Sequence, residues 1–227
     1  MKSSFSTLTL LVGLITVAAC AELPTKSVTL PTGETIDYVE VRDEPFHRHQ
    51  FQDDRIRLYD VLIPAGKSAL YHRHSEDTAY VVVQPSRFRN QTAGAPAIEV
   101  DLPPPGTAFF DTQSKTPVIH QVSNIGSVDG RLIGVELYQV DKTIAREPLS
   151  APGLTLGQTA PQIRIYNVIL EPGQTTGPLN TRFPHLLIAI TDGALKAGDF
   201  IWSKEAKELT LTNDGAATFK AVLYELP

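Results

Sequence analysis

Cysteine is almost missing from this chain: Cys20 is the only one in 227 residues, so no disulfide within the chain can staple the fold. Stability must therefore come from a packed core. No segment beyond residue 19 is a run of about eighteen apolar residues, so none is long enough there to cross a membrane as a helix. No stretch of useful length keeps a helical apolar period, which argues against a helical fold. Positive charge is scarce too, with 20 Lys and Arg against 25 Asp and Glu and a formal net charge of −5, which argues against nucleic acid as a partner. The chain has no nucleophile motif, no phosphate loop, no dinucleotide fingerprint and no catalytic thiolate, and each of these gaps removes a class of chemistry.

What is present begins with a leader. Lys2 supplies a positive start, Leu8 to Val17 form an apolar run too short to span a bilayer, and Val17-Ala18-Ala19-Cys20 follows. This order resembles the lipobox of bacterial lipoproteins. The resemblance implies that residues 1–19 are a signal peptide, that Cys20 is the lipidated N-terminus, and that the chain is anchored in the periplasm. Several acyl chains on one cysteine make a stable membrane anchor where a single chain would be marginal. Ala21, where an inner-membrane signal would place Asp, implies sorting to the outer membrane. Cleavage would leave about 208 residues and, by removing Lys2, a formal charge of −6.

Those residues read as β-structure. Short stretches rich in Val, Ile, Leu, Tyr and Thr lie between prolines and glycines, and Arg55 to Ile63, Tyr80 to Gln84, Arg131 to Gln139 and Ala217 to Leu226 alternate as half-buried strands do. An internal repeat sharpens this. Leu58-Tyr-Asp-Val-Leu-Ile-Pro-Ala-Gly66 aligns with Ile165-Tyr-Asn-Val-Ile-Leu-Glu-Pro-Gly173, and the same register pairs Val81-Val-Val with Ile188-Ala-Ile. Near the end of each half Asn124 matches Asn213, and Val135-Glu-Leu matches Tyr224-Glu-Leu. The expected organisation is an arm over 20–40, a first unit over 41–141, a linker over 142–153 and a second unit over 154–227.

The chemistry concentrates in the first unit. Residues two apart in a strand share a face, so His72 and His74 present parallel imidazoles while Arg73 points away. His120, a hairpin later, offers a third. Three imidazoles can take one face of a metal's octahedron and leave other positions open.

Gly66, His72 and His74, followed by His120 and Asn124, are similar in spacing to the two motifs of the cupin superfamily. That resemblance implies two tandem cupin-type jelly-roll β-barrels of the RmlC-like kind, the second degenerate. It also implies a divalent transition metal, whether Fe, Mn, Ni, Cu or Zn, on His72, His74 and His120. The chain departs from the motif where a glutamate ligand belongs: positions 78 and 79 hold Thr78 and Ala79, with Glu76 and Asp77 just ahead. Thr78, Glu76 or water are the open choices for a fourth ligand. The motif's closing glycine is Pro85, and the residues ahead of His120, around Lys115 and Pro117, depart from the second motif. In the second unit Leu179, Thr181 and Leu209 stand where His72, His74 and His120 stand in the first, so no metal is expected there, and His185 reads as structural.

Other residues carry weaker expectations. Tyr80 shares strand parity with the histidines and could act as an acid or orient a substrate. Arg87 could pair a substrate carboxylate, although a solvated strand face suits Arg87 and Arg89 better. His47-Arg-His49 repeats the histidine spacing without the preceding glycine, and an exposed edge strand accounts for it. The expected function is a metal-dependent cupin protein, an oxygenase acting on a small anionic substrate. The alternatives are a non-enzymatic periplasmic lipoprotein that binds a small molecule or metal, and a structural envelope protein with incidental histidines. Whether the protein is an enzyme stays open at this point.

Overall fold

The computed structural model describes residues 23–138, 147–193 and 195–226. Cys20, the rest of the leader and part of the linker lie outside these residues. The fold is all-β; the one helical turn among the described residues is a 3-10 turn at Val41–Asp43.

Eleven strands precede the linker. They are β1 (Lys26–Thr29), β2 (Thr35–Glu40), β3 (His47–Gln52), β4 (Ile56–Ile63), β5 (His72–His74) and β6 (Asp77–Gln84), then β7 (Arg87–Thr92), β8 (Ile98–Asp101), β9 (Ala108–Asp111), β10 (Val118–Asn124) and β11 (Gly130–Leu137). They form a six-stranded sheet, β1-β2-β5-β10-β7-β8, and a five-stranded sheet, β3-β4-β11-β6-β9. The two sheets share one apolar interior, with Tyr59, Val61, Ile63, Tyr80, Val82 and Leu132 from one and Phe88 and Val122 from the other. This is the sandwich of a jelly roll.

Seven strands follow: β12 (Leu154–Ala160), β13 (Ile163–Leu170), β14 (Thr175–Asn180), β15 (His185–Ala189), β16 (Phe200–Ser203), β17 (Glu208–Thr212) and β18 (Phe219–Glu225). Here a five-stranded sheet, β12-β13-β18-β15-β16, faces only the ribbon β14-β17. Its interior is filled by Tyr166, Val168, Leu170, Leu179, Leu187, Leu211 and Leu223.

The strand pairings repeat register for register. Leu58 lies opposite Val135 and Ile165 opposite Tyr224; Val81 lies opposite Ile133 and Ile188 opposite Val222. Gly66 and Gly173 both take φ near +70°, at 71° and 76°, a conformation that costs glycine no steric strain. Asn124 and Asn213 make matching bonds. Each donates from Nδ2 to two carbonyls, Ile63 and Val128 in the first unit and Leu170 and Ala217 in the second, while its Oδ1 accepts from the amide of Gly126 or Gly215. These asparagines close the turn after β10 and β17 in a dry setting, where an unpaired carbonyl would be costly.

One expectation needs correction. The alternating strands are not half-buried, because the two large sheets pack back to back. Ile56, Leu58, Ala79, Val81, Ile133 and Val135 meet Ile163, Ile165, Leu186, Ile188, Val222 and Tyr224 in a second, larger core. Each such side chain removed from water contributes about 1.5–3 kcal/mol. Polar ties rim this interface: Arg131 binds Asp60 at 2.9 Å and donates to the Ala197 carbonyl at 3.0 Å, and Trp202 Nε1 donates to Asp53 at 2.9 Å.

Candidate metal centre

The imidazoles sit inside the first sandwich. Strand β5 is three residues long and runs between β2, in parallel with Val39 opposite His72, and β10, antiparallel with His120 opposite His72. That register puts His72, His74 and His120 on one inner face. His72 and His74 are buried, with ring centroids 5.0 Å apart, and His120 lies 4.6 Å from His72 and 5.1 Å from His74.

A fourth ring joins them. His47 is buried, 4.5 Å from His72 and 5.7 Å from His74 between ring centroids, and His47, His72 and His74 each offer a ligand atom within 4.8 Å of the others. The sequence reading set His47 aside as part of an exposed edge strand. Strand β3 is indeed an edge, and His49 is exposed, but His47 at its start lies opposite Val61 of β4, whose side chain faces the same interior. The signal that finds His47 is strand pairing, which a local motif does not contain.

The Nδ1 atom of each ring is occupied. His47 Nδ1 lies 2.6 Å from Glu44 Oε2, His72 Nδ1 2.8 Å from the Leu70 carbonyl, His120 Nδ1 3.0 Å from Asn90 Oδ1, and His74 Nδ1 3.3 Å from the Tyr80 hydroxyl. A carbonyl oxygen only accepts, so in His72 and His120 the Nδ1 atom carries the hydrogen and Nε2 carries the lone pair. Yet His72 Nε2 and His120 Nε2 stand 3.0 Å apart. Two lone pairs at that distance repel unless a cation lies between them. The separation equals the edge of an octahedron with metal–nitrogen bonds of about 2.1 Å, which is about 3.0 Å. Outer hydrogen bonds of this kind fix tautomer and ring orientation in metal-binding histidines.

The electrostatics agree with ligand chemistry. Burial, reinforced by neighbouring imidazoles, holds the pKa of His72 and His74 well below the usual histidine value, and burial with His47 nearby takes His120 down to about 4. These three rings are therefore neutral at ordinary pH and free to bind a cation. They open on a cavity of about 230 Å³ whose walls include Val61, Ile63, Phe88, Leu102, Phe109 and Leu132, with Asn90, Asp111 and Gln113 as polar points.

The remaining sequence candidates fall elsewhere. Tyr80 lines the cavity and stacks on Phe109 at 5.2 Å, but its hydroxyl is engaged with His74, and burial pushes its pKa up. It orients a ring rather than offering a proton. Arg87 lies on a solvated strand face instead: it is exposed, pairs with Glu99 at 3.0 Å, and is not among the residues that line the cavity. Glu76 lines a separate charged cleft beside Arg57, Arg73 and Glu136, and the Thr78 hydroxyl donates to the Glu76 carbonyl at 2.9 Å. Neither lines the cavity that the imidazoles share.

In the second unit Leu179 lies opposite Leu209, in the pairing that holds His72 and His120 in the first. Leu154 lies opposite Val168 as His47 lies opposite Val61, and the Thr181 hydroxyl bonds the Lys207 backbone. His185 is buried with its Nδ1 3.3 Å from the Phe183 carbonyl and no second imidazole against it among the described ring contacts.

No family model matches the chain, and no curated protein is similar to it in sequence. Solved structures resemble it in fold. A salicylate 1,2-dioxygenase from Pseudaminobacter salicylatoxidans superposes with a TM-score of 0.57 at 12% identity, covering 81% of this chain and 76% of that one. AerE from Microcystis aeruginosa superposes at 0.53 with 9% identity, over 81% of this chain and 98% of the other. A cupin domain from Bordetella pertussis matches over 40% of this chain at 20% identity, with a TM-score of 0.36. The first two superpositions place the chain in the class of all-β proteins with a jelly-roll fold. At these identities the likeness speaks for the fold alone.

Proposed function

We propose that this protein holds a divalent transition metal on the imidazoles of His47, His72, His74 and His120 and presents it to a small, largely apolar, anionic molecule, with oxygenase chemistry as the favoured outcome. The observation that carries the reading is the pair of Nε2 atoms at 3.0 Å, each ring with its Nδ1 already bonded. When bound, the metal supplies a Lewis-acidic charge and, if it is redox-active, a route for electrons between substrate and dioxygen. The chain's own residues do the rest. Nitrogen ligands bring no negative charge of their own to the ion, and among the described residues no Lys or Arg lines the cavity, so a substrate anion finds its positive partner at the metal. The apolar walls exclude water and favour a flat or branched hydrocarbon body. A cavity of about 230 Å³ is below the roughly 300–1,000 Å³ typical of drug-sized ligands, which limits the substrate to a small molecule. A salicylate 1,2-dioxygenase on the same fold is consistent with this choice.

A second reading has one observation in its favour. Tyr80 is committed to His74, which leaves Asp111 as the one other carboxyl or hydroxyl among the described lining residues for proton transfer, and so spare a set suits a protein that captures its ligand without turning it over. Elemental analysis of the native protein, followed by oxygen uptake across small phenols, diketones and thiols, tests both. Iron, manganese, nickel or copper with uptake supports the oxygenase, a bound metal without uptake supports capture, and absence of any metal ends both readings. From the sequence we further propose a lipid anchor on Cys20 and a place at the periplasmic face of the outer membrane. Loss of membrane association in Cys20→Ala would support this.

A further inference from the structure

The cupin motif that the chain resembles places a carboxylate among the metal ligands, and this chain has Thr78 and Ala79 in that place instead. Glu44 is a buried carboxylate just behind the imidazole cluster. Its Oε2 accepts from His47 Nδ1 at 2.6 Å and from the Phe46 amide at 2.9 Å, and its Oε1 accepts from the Leu70 amide at 3.2 Å. Leu70 in turn gives its carbonyl to His72 Nδ1 at 2.8 Å. One carboxylate therefore braces two of the four rings, one directly and one through a backbone segment. Both of its oxygens are thus engaged, one by two partners and one by a backbone amide.

We propose that Glu44 is the positioning residue that supplies the site's missing negative charge from outside the ligand shell, acting through His47 as the fourth ligand. A carboxylate behind an imidazole raises that ring's basicity and locks its orientation, so charge that would have been delivered by a ligand oxygen arrives through the ring. The geometry also keeps every ligand a nitrogen, which leaves the ion more receptive to an anionic substrate than a bound carboxylate would.

This rests on the metal reading above, and the test separates the two. Cobalt(II) is titrated into the metal-free full-length protein, following affinity and the visible ligand-field spectrum. Wild type should bind one ion and His72→Ala should not; if wild type fails to bind, the metal reading falls, and this inference with it. Given binding, Glu44→Gln should weaken affinity about 10–100-fold, with ligand-field bands like those of wild type. His47→Ala, which leaves both backbone bonds of Glu44 in place, should weaken it comparably and change the bands. Adding Glu44→Gln to His47→Ala should cost little more, because the carboxylate acts through the ring. Unaltered affinity in Glu44→Gln, or an equal further loss in the double variant, would overturn the proposal and leave Glu44 a loop brace. Thermal unfolding of each metal-free variant identifies any loss caused by misfolding, and if Glu44→Gln does not fold, unchanged spectrum and affinity in His47→Ala overturns the proposal by themselves.

Discussion

The two halves share a skeleton and differ in what they put inside it. The register of the five-stranded sheets is shared, down to the paired asparagines and the Arg57–Glu136 and Arg164–Glu225 ion pairs on matching strands. At the four positions where the first half places His47, His72, His74 and His120, the second has Leu154, Leu179, Thr181 and Leu209. Imidazoles packed in a dry interior need hydrogen-bond partners, and the first half supplies Glu44, Leu70, Tyr80 and Asn90 for them. Leucines need none, and there the second sheet shrinks to a ribbon. The frame is thus independent of the chemistry, and the chemistry brings its own supporting shell.

The largest expected break in that comparison is at one paired position. His72→Ala should reduce metal content from about one per chain to below about a tenth, by elemental analysis, while Leu179→Ala should leave metal content unchanged and destabilise the fold by about 2–5 kcal/mol in urea. Acid should strike the first half next. His72, His74 and His120 have folded pKa values depressed by burial, to about 4 for His120, so an unfolded chain takes up protons that the folded one refuses. Stability of the metal-free protein should be full above about pH 6.5 and fall as the pH drops towards 4, by roughly 3 kcal/mol for His120 alone. Replacing His120 with leucine, as the second half has at Leu209, should flatten that slope; an unchanged slope would mean the ring is not neutral in the fold. A shared element should respond equally: Asn124→Ala and Asn213→Ala should each cost about 1–3 kcal/mol, the second without any change in metal content. Smallest of all, Arg87→Ala should move stability by less than about 0.5 kcal/mol and leave metal affinity alone, since its ion pair is exposed.

Much of the frame was legible in the chain because it is local. Repeats, the Gly66 and Gly173 turns and the Asn124 and Asn213 locks are read off short spacings, and the parity of His72 and His74 follows from strand geometry. Three features were not legible because they depend on contacts distant in sequence. Arg55 to Ile63 looks half-buried until the other half covers its outer face. His47 looks idle until the β3–β4 register turns it inward. Arg87 looks available until β8 brings Glu99 beside it. In each case the deciding partner lies on another strand, and a one-dimensional pattern carries no register.

Strand β5 has only three residues, and one of its two neighbours is β2, from the leading segment of the chain. Leading segments are usually the expendable part of a domain, the piece an investigator trims to improve expression or a protease clips without consequence. Here Val39 lies against His72, and Glu40 holds Arg73 at 3.0 Å. A version of the protein begun at residue 41 would keep all four imidazoles and still leave two of them on an unsupported edge, so the segment that looks most dispensable is one wall of the strand that carries them.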